Sequence, residues 1–319
     1  MTIPRIQLRD NSGSIPVLGF GTATDPPVSP ETTKAAVLTA IQLGYRHFDT
    51  ACLYYTEEPL GEAIAQALDD GLVSSRNDLF ITSKLWCSDA HKDAVVPALK
   101  TSLRKLKLEY IDMYLIHWPV SAKAGVYEYP IKKEDFMAMD YKSVWEAMEE
   151  CKKLGLTKAI GVSNFSRKKL ADLLAFAAIP PAVNQVEVNP TWQQKELIQY
   201  CNSNNVLVTA YSPLGAIGTF YGSNKVMEST VLKQIASLGN KYVAQICLRW
   251  ALEQGIAVVV KSFNEERMKQ NLDIFEWELS SEDHEMIKMI PQSRVCRGLD
   301  YTSNYGPFTT ISELWDEDV

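Results

Sequence analysis

Eight short apolar runs, each followed by a stretch of helical periodicity, constrain this chain more than anything else in it. The runs cover residues 17–21, 47–50, 79–83, 111–117, 158–162, 182–186, 206–210 and 257–260. The helical stretches cover 31–43, 57–70, 91–106, 141–154, 166–177, 193–204, 229–254 and 264–275. Strand–helix alternation implies a parallel α/β sheet. Several runs are apolar at consecutive positions, as strands covered on both faces require. Eight such units in one domain-sized chain favour a closed (β/α)8 TIM barrel over a doubly wound sheet. A β-hairpin around 6–17 is expected before the barrel and an irregular, substrate-covering tail at about 292–319 after it. Residues 1–319 then form one domain, with a variable loop at about 121–139. Ser29-Pro30-Glu31 is a helix-start signal, Ser166 a plausible N-cap, and Asn240 marks a stop between helices.

Charge and cysteine usage remove several function classes. The net charge is −7 and the isoelectric point near 5.3, which argues against nucleic acid or an anionic membrane as the partner. A local basic pocket for a phosphate stays open. Six cysteines lie scattered without a C-x-x-C, and the four histidines are spread out, so neither a disulfide framework nor a metal centre is expected. The start, MTIPRIQLRD, is charged where a signal peptide needs apolar residues. The longest apolar stretch, 173–183, contains Pro180 and Pro181, so no membrane span is expected. The chain is read as a cytoplasmic monomer whose partner is a small molecule. The sequon Asn164-Phe165-Ser166 has no meaning in that compartment. Gly19-Phe20-Gly21 has Thr24, not glycine, at the next fingerprint position, and no helix opens directly after it. It is no dinucleotide fingerprint, and no phosphate-loop motif exists either.

The C-terminal strand ends of a barrel build its active site. The first polar residues there are Asp49, Lys84, His117, Asn164, Gln185, Tyr211 and Lys261. Singly, each has a structural reading. Asp49 could cap a helix, Lys84 could snorkel, His117 could be a satisfied core histidine, Asn164 and Gln185 could tie loops, and Tyr54 could pack. Jointly they make chemical sense. A tyrosine hydroxyl is a weak acid at neutral pH. A nearby ammonium is expected to stabilise its phenolate and lower its pKa, with a carboxylate holding the ammonium. A neutral imidazole beside them can orient a carbonyl. That set suits protonation of an alkoxide as hydride reaches a carbonyl carbon.

The wider motifs resemble those of the aldo-keto reductases. Gly44-Tyr45-Arg46-His47-Phe48-Asp49-Thr50-Ala51, Tyr54 and Glu57-Glu58-Pro59-Leu60-Gly61 resemble the first signature of that family. Tyr114-Leu115-Ile116-His117-Trp118-Pro119 and Ala159-Ile160-Gly161-Val162-Ser163-Asn164-Phe165 resemble the second, and Val260-Lys261-Ser262-Phe263-Asn264-Glu265-Glu266-Arg267-Met268 the third. The resemblance spans about 5 to 317. It implies Tyr54 as general acid, Lys84 and Asp49 as its tuning pair, and His117 as the group orienting the carbonyl. It implies an NADPH/NADP+ cofactor. Ser163, Asn164 and Gln185 would hold the nicotinamide carboxamide, and Tyr211 would stack on the ring. Thr22, Asp49, Ser212 and Leu214 would add contacts, while Lys261, Ser262, Phe263, Asn264, Arg267, Gln270 and Asn271 would hold the 2′-phosphate end. Lys261 and Arg267 over a helix capped by Asn264 suit a dianionic phosphate. Pairing of Arg267 with Glu266 is the plainer alternative.

Thr82-Ser83-Lys84-Leu85-Trp86-Cys87, Met139-Asp140-Tyr141-Lys142-Ser143-Val144-Trp145 and the ending Gly306-Pro307-Phe308 with Leu314-Trp315-Asp316 look like the plant specialised-metabolism branch, the codeinone, methylecgonone and chalcone reductases. Ala23 stands where many members place tryptophan, Val260 where many have proline, and Gln270 where many have glutamate. Substrate contacts are expected at Ala23, Tyr55, Trp86, His117 and Trp118. Loop and tail add Tyr127, Tyr129, Phe136, Tyr301, Tyr305, Phe308 and Trp315, either as walls for a bulky ketone or as glue. The final Asp316-Glu317-Asp318-Val319 is expected to be solvated. The reading is reduction of a plant ketone, with an alkaloid ketone of tropinone or codeinone type leading. Alternatives are a polyketide reductase acting with chalcone synthase, a broad aldehyde/ketone reductase, and a non-catalytic barrel subunit.

Overall fold

The computed structural model describes residues 2–127 and 129–317. Strands β1 (Arg5–Gln7) and β2 (Ser14–Pro16) form the hairpin, followed by β3 (Leu18–Gly21), α1 (Pro30–Leu43), β4 (His47–Asp49), α2 (Glu57–Asp69), β5 (Phe80–Leu85), α3 (Val95–Leu106) and β6 (Ile111–Ile116). The next connection carries a small antiparallel pair, β7 (Ser121–Ala122) and β8 (Phe136–Met137), before α4 (Tyr141–Lys153). Then come β9 (Thr157–Ser163), α5 (Arg167–Leu174), β10 (Val183–Glu187), α6 (Lys195–Ser203), β11 (Leu207–Tyr211), α7 (Lys225–Glu228), α8 (Thr230–Leu238), α9 (Val243–Glu253), β12 (Ala257–Val260) and α10 (Glu265–Leu272). Helices α11 (Ser281–Lys288) and α12 (Ile311–Trp315) complete the order. Strands β3, β4, β5, β6, β9, β10, β11 and β12 pair in parallel in that sequence, and β12 returns to β3 to close the barrel.

Alternation along each strand splits the apolar runs between two cores. Leu18, Phe20, Phe48, Ile81, Ile160, Val208 and Val258 face outward into the layer shared with the helices. Phe80, Met113, Leu115, Ala159, Val183, Leu207 and Ala257 form an inner cluster, capped by Leu8 and Ile15 of the hairpin. These inner residues lie toward the strand starts, so the hairpin plugs that end and leaves the C-terminal ends open for chemistry. Gly19 now has a reason. A Cβ there would stand 2.5 Å from His47 Nδ1, inside the barrel.

Several expected boundaries moved. The stretch 229–254 is two helices, with Asn240 at φ 49° between them. Helix α3 starts at Val95 because a 3-10 turn, Cys87–Asp89, takes the residues after β5. Helix α11 was unexpected, although Ser280 and Asp283 form a readable capping box. The tail is less irregular than expected, holding a turn at Leu299–Tyr301 and α12. No helix among the described residues is long and apolar enough to cross a membrane.

Candidate active site

Asp49 ends β4 and Lys84 lies near the end of β5, so parallel pairing sets their side chains together inside the barrel. Lys84 Nζ donates to Asp49 Oδ1 at 2.5 Å and to the Thr50 carbonyl at 3.0 Å. Gln185 on β10 reaches across and donates through Nε2 to Asp49 Oδ2 at 2.8 Å. Tyr54 sits in the 3-10 turn Cys52–Tyr54, with the Lys84 ammonium 4.9 Å from its ring centre. Its hydroxyl is 3.3 Å from His117 Nε2. All four expected catalytic residues therefore meet at one point.

The electrostatics differ from expectation in one respect. Burial pushes the Tyr54 phenol well above its ordinary range, and the Asp49 charge pushes the same way. The expected lowering by Lys84 is corrected. Its charge is already answered by Asp49, and a phenolate without solvent costs more than the ammonium returns. Burial also lowers the pKa of Lys84, with Asp49 opposing. His117 is driven well below its usual range by burial and then by Lys84, so its ring is neutral at physiological pH. Its Nδ1 and the indole Nε1 of the adjacent Trp86 are buried without hydrogen-bond partners among the described residues.

A second group lies beside the first. Ser163 Oγ donates to the Gln185 carbonyl at 2.8 Å, and Asn164 Nδ2 donates to the His117 carbonyl at 3.0 Å. Asn164 Oδ1 accepts from the Tyr211 hydroxyl at 2.7 Å. Thr22 Oγ1 donates to the Asp49 carbonyl and bonds Thr56, which also holds Thr50. Ser212, at φ 49°, is bonded to Tyr221, and Leu214 packs on the outer core.

At the β12–α10 junction, Asn264 Oδ1 caps the helix through the Arg267 N–H at 2.9 Å. Lys261 has its pKa lowered by burial and then by the charge of Arg267. Neither cation pairs with a carboxylate among the described residues, so Glu266 does not claim Arg267. Two uncompensated cations at a capped helix start fit a multiply charged phosphate. Ser262 bonds within the turn, and Phe263 stacks on Phe20 at 5.9 Å. Gln270 is half-buried. Asn271 is buried, and the nearby Tyr45 hydroxyl donates to the Met268 carbonyl at 3.0 Å.

On the substrate side, Ala23 is exposed at the mouth and Tyr55 donates to the Tyr127 carbonyl at 3.1 Å. Trp86 is buried, and Trp118 is stacked under Tyr301 at 3.8 Å. Tyr301 and Trp315 are therefore glue as much as wall. The tail is pinned at both ends. Glu187 accepts the Val295 and Cys296 N–H groups at 3.1 and 2.7 Å. Near the other end, Asp316 pairs with Lys169 at 2.5 Å and bonds Ser166. The acidic terminus is thus not simply solvated: Asp316 is docked, while Asp318 and Val319 lie outside the described residues. Glu187 escaped the sequence reading, although it lies two residues beyond Gln185 on the same strand and therefore the same face. A cavity of about 610 Å³ lined by Lys195, Asn202, Trp250 and His284 lies on the outer helical layer, away from this chemistry. No group of three metal-ligating side chains occurs among the described residues.

Residues 17–291 match the aldo/keto reductase family. The chain is 58% identical over 316 residues to NADPH-dependent codeinone reductase 1-4 of Papaver somniferum, covering 99% of this chain and 98% of that protein. It is 56% identical over 305 residues to deoxymugineic acid synthase 1 of Zea mays, with 96% and 97% covered. A Bombyx mori aldo-keto reductase solved in complex with NADP superposes with a TM-score of 0.84 at 37% identity, covering 96% and 99% of the two chains. With a closed eight-strand barrel, a family match over residues 17–291 and relatives 56–58% identical over nearly the whole chain, this chain belongs to the aldo-keto reductase family and is an NADPH-dependent reductase.

Proposed function

We propose that the enzyme reduces the carbonyl of a bulky ring ketone of plant specialised metabolism to a secondary alcohol, an alkaloid ketone of tropinone or codeinone type being the leading substrate. The observation that carries this reading is the Tyr54 hydroxyl 3.3 Å from His117 Nε2, with the Lys84–Asp49 pair behind it. NADPH, when bound, supplies the hydride. His117, neutral and with its proton on Nε2, donates a hydrogen bond that orients the carbonyl oxygen. Tyr54 gives its proton to that oxygen as negative charge builds on it. The raised pKa of Tyr54 keeps the proton in place until then, and an alkoxide is basic enough to take it. The Lys84 ammonium, held by Asp49, stabilises the phenolate that remains. Lys261 and Arg267 hold the 2′-phosphate, and Gln185, whose Nε2 donates to Asp49, faces the carboxamide with Ser163 and Asn164.

We read the enzyme as a cytoplasmic monomer. Its six cysteines are all unpaired, which suits a reducing compartment, and every candidate catalytic group comes from one chain. The test is NADPH consumption over a panel of ring ketones by wild type and Tyr54→Phe. The variant is expected to lose about 10²–10⁴ in kcat while still binding NADPH. Retention of more than about a tenth of kcat, with chemistry limiting, overturns the assignment. Adding chalcone synthase and its substrates to the panel separates the polyketide alternative.

A further inference from the structure

One wall above the catalytic groups is a continuous run of rings. Trp86 meets His117 at 5.5 Å and Tyr129 at 6.3 Å, Tyr129 meets Phe220 at 5.6 Å, and Phe220 meets Tyr221 at 5.1 Å. The inner end is buried, whereas Tyr129 is 39% and Phe220 63% exposed, so the wall opens outward from the reacting centre. Large exposed aromatics rimming a site call for a ligand that covers them.

A carboxylate stands on this rim. Asp300, in the turn Leu299–Tyr301, accepts the Tyr129 hydroxyl on Oδ2 at 3.0 Å. The same turn is fixed by Tyr301 stacked on Trp118, so Asp300 is held in place. Lys133 lies close, but it donates to the main-chain carbonyls of Leu299, Asp300 and Thr302 at 3.1, 3.2 and 2.7 Å. It forms no ion pair with the Asp300 side chain among the described residues. Residues 212–224, which carry Phe220, include no charged side chain. The rim thus offers π faces and a carboxylate that no ion pair neutralises among the described residues. Aromatic faces beside a carboxylate select a cation on an apolar body.

We propose that Asp300, with the Tyr129 and Phe220 rings, recognises a protonated amine carried by the ketone substrate. This rests on the ketone-reductase reading and adds to it the residues that sense substrate charge. Tropinone, an ammonium at neutral pH, is compared with its all-carbon bicyclic analogue in wild type, Asp300→Asn and Phe220→Leu. Asp300→Asn is expected to raise KM for tropinone about 10-fold, and Phe220→Leu about 3-fold. KM for the carbon analogue stays within about two-fold of wild type, on which a cation site has no hold. Calorimetric binding of tropine to the enzyme–NADP+ complex needs no turnover and is expected to weaken in parallel. Equal changes for both ketones, or tropine binding indifferent to Asp300, overturn the amine site. Tropine binding that depends on Asp300 with neither ketone reduced upholds the amine site and refutes the ring-ketone reading instead.

Discussion

Asp49→Asn isolates the energetics of the charge pair at the centre of the site. Lys84 is only 1% exposed, and its ammonium has Asp49 Oδ1 and the Thr50 carbonyl as partners. Asparagine keeps the shape and an acceptor oxygen for Lys84, removes the negative charge, and sets an NH2 group against Gln185 Nε2, which the Gln185 amide answers by turning its oxygen inward. Leaving one ion of a buried pair uncompensated costs about 3–5 kcal/mol. The folded variant can reduce that cost by releasing the Lys84 proton, because burial already lowers this pKa and Asp49 is the main opposing influence. The unfolded chain then binds more protons than the folded one over the window between the lowered Lys84 pKa and about 10.5. Stability of the variant relative to wild type therefore rises with pH across that window. Removing both charges, as Asp49→Asn with Lys84→Met, leaves no lone ion and is expected to recover about 2 kcal/mol relative to Asp49→Asn alone. Urea midpoints of the four proteins at pH 7 and 9, followed by tryptophan fluorescence, measure the cycle. A loss below about 1 kcal/mol for Asp49→Asn, or a double variant as unstable as the sum of the singles, refutes the reasoning.

Two further outcomes follow from other parts of the molecule. Arg267→Ala should weaken NADPH binding about 10- to 100-fold and leave NADH binding nearly unchanged, since a hydrogen bond to a charged group is worth about 1.5–3 kcal/mol; parallel weakening in a fluorescence titration of both cofactors argues against the phosphate role. Burial lowers the His47 pKa to about 4, so the unfolded chain binds more protons between about 4 and 6.5, and stability falls as pH drops through that window, by up to about 3 kcal/mol. His47→Gln should flatten the slope of urea midpoints over that range, and an unchanged slope shows that another group titrates.

Much of this was legible in the sequence because barrel strands alternate strictly and their ends are few. All eight barrel strands were placed by their apolar runs, and Asp49, Lys84 and His117 follow from reading the next polar residue. Tyr54 needed its motif, since it lies in a short turn that no periodicity marks. What stayed hidden depends on contacts distant in sequence. The direction of the Tyr54 shift is set by burial and by Asp49 across the barrel. The docking of Asp316 on Lys169 joins residues 147 apart. The Tyr45 hydroxyl reaches the Met268 carbonyl, 223 residues away, because α10 packs on α1, which helical spacing alone does not reveal.

The pinning of the tail has a consequence for how such enzymes diversify. Glu187 lies two residues after Gln185, and Ser166 two after Asn164, so the tail is tied to the same strand ends that present the expected carboxamide contacts. A foreign tail grafted onto this barrel must bring N–H donors for Glu187, a partner for Lys169 and a ring to lie on Trp118. Apart from Ser212 and Leu214, expected at the cofactor, and Lys133, which holds the tail at the Leu299, Asp300 and Thr302 carbonyls, the loops at 121–139 and 212–224 carry no such debt. Lineages of this barrel are free to explore new substrates by rewriting those two loops while inheriting the tail as part of the chassis.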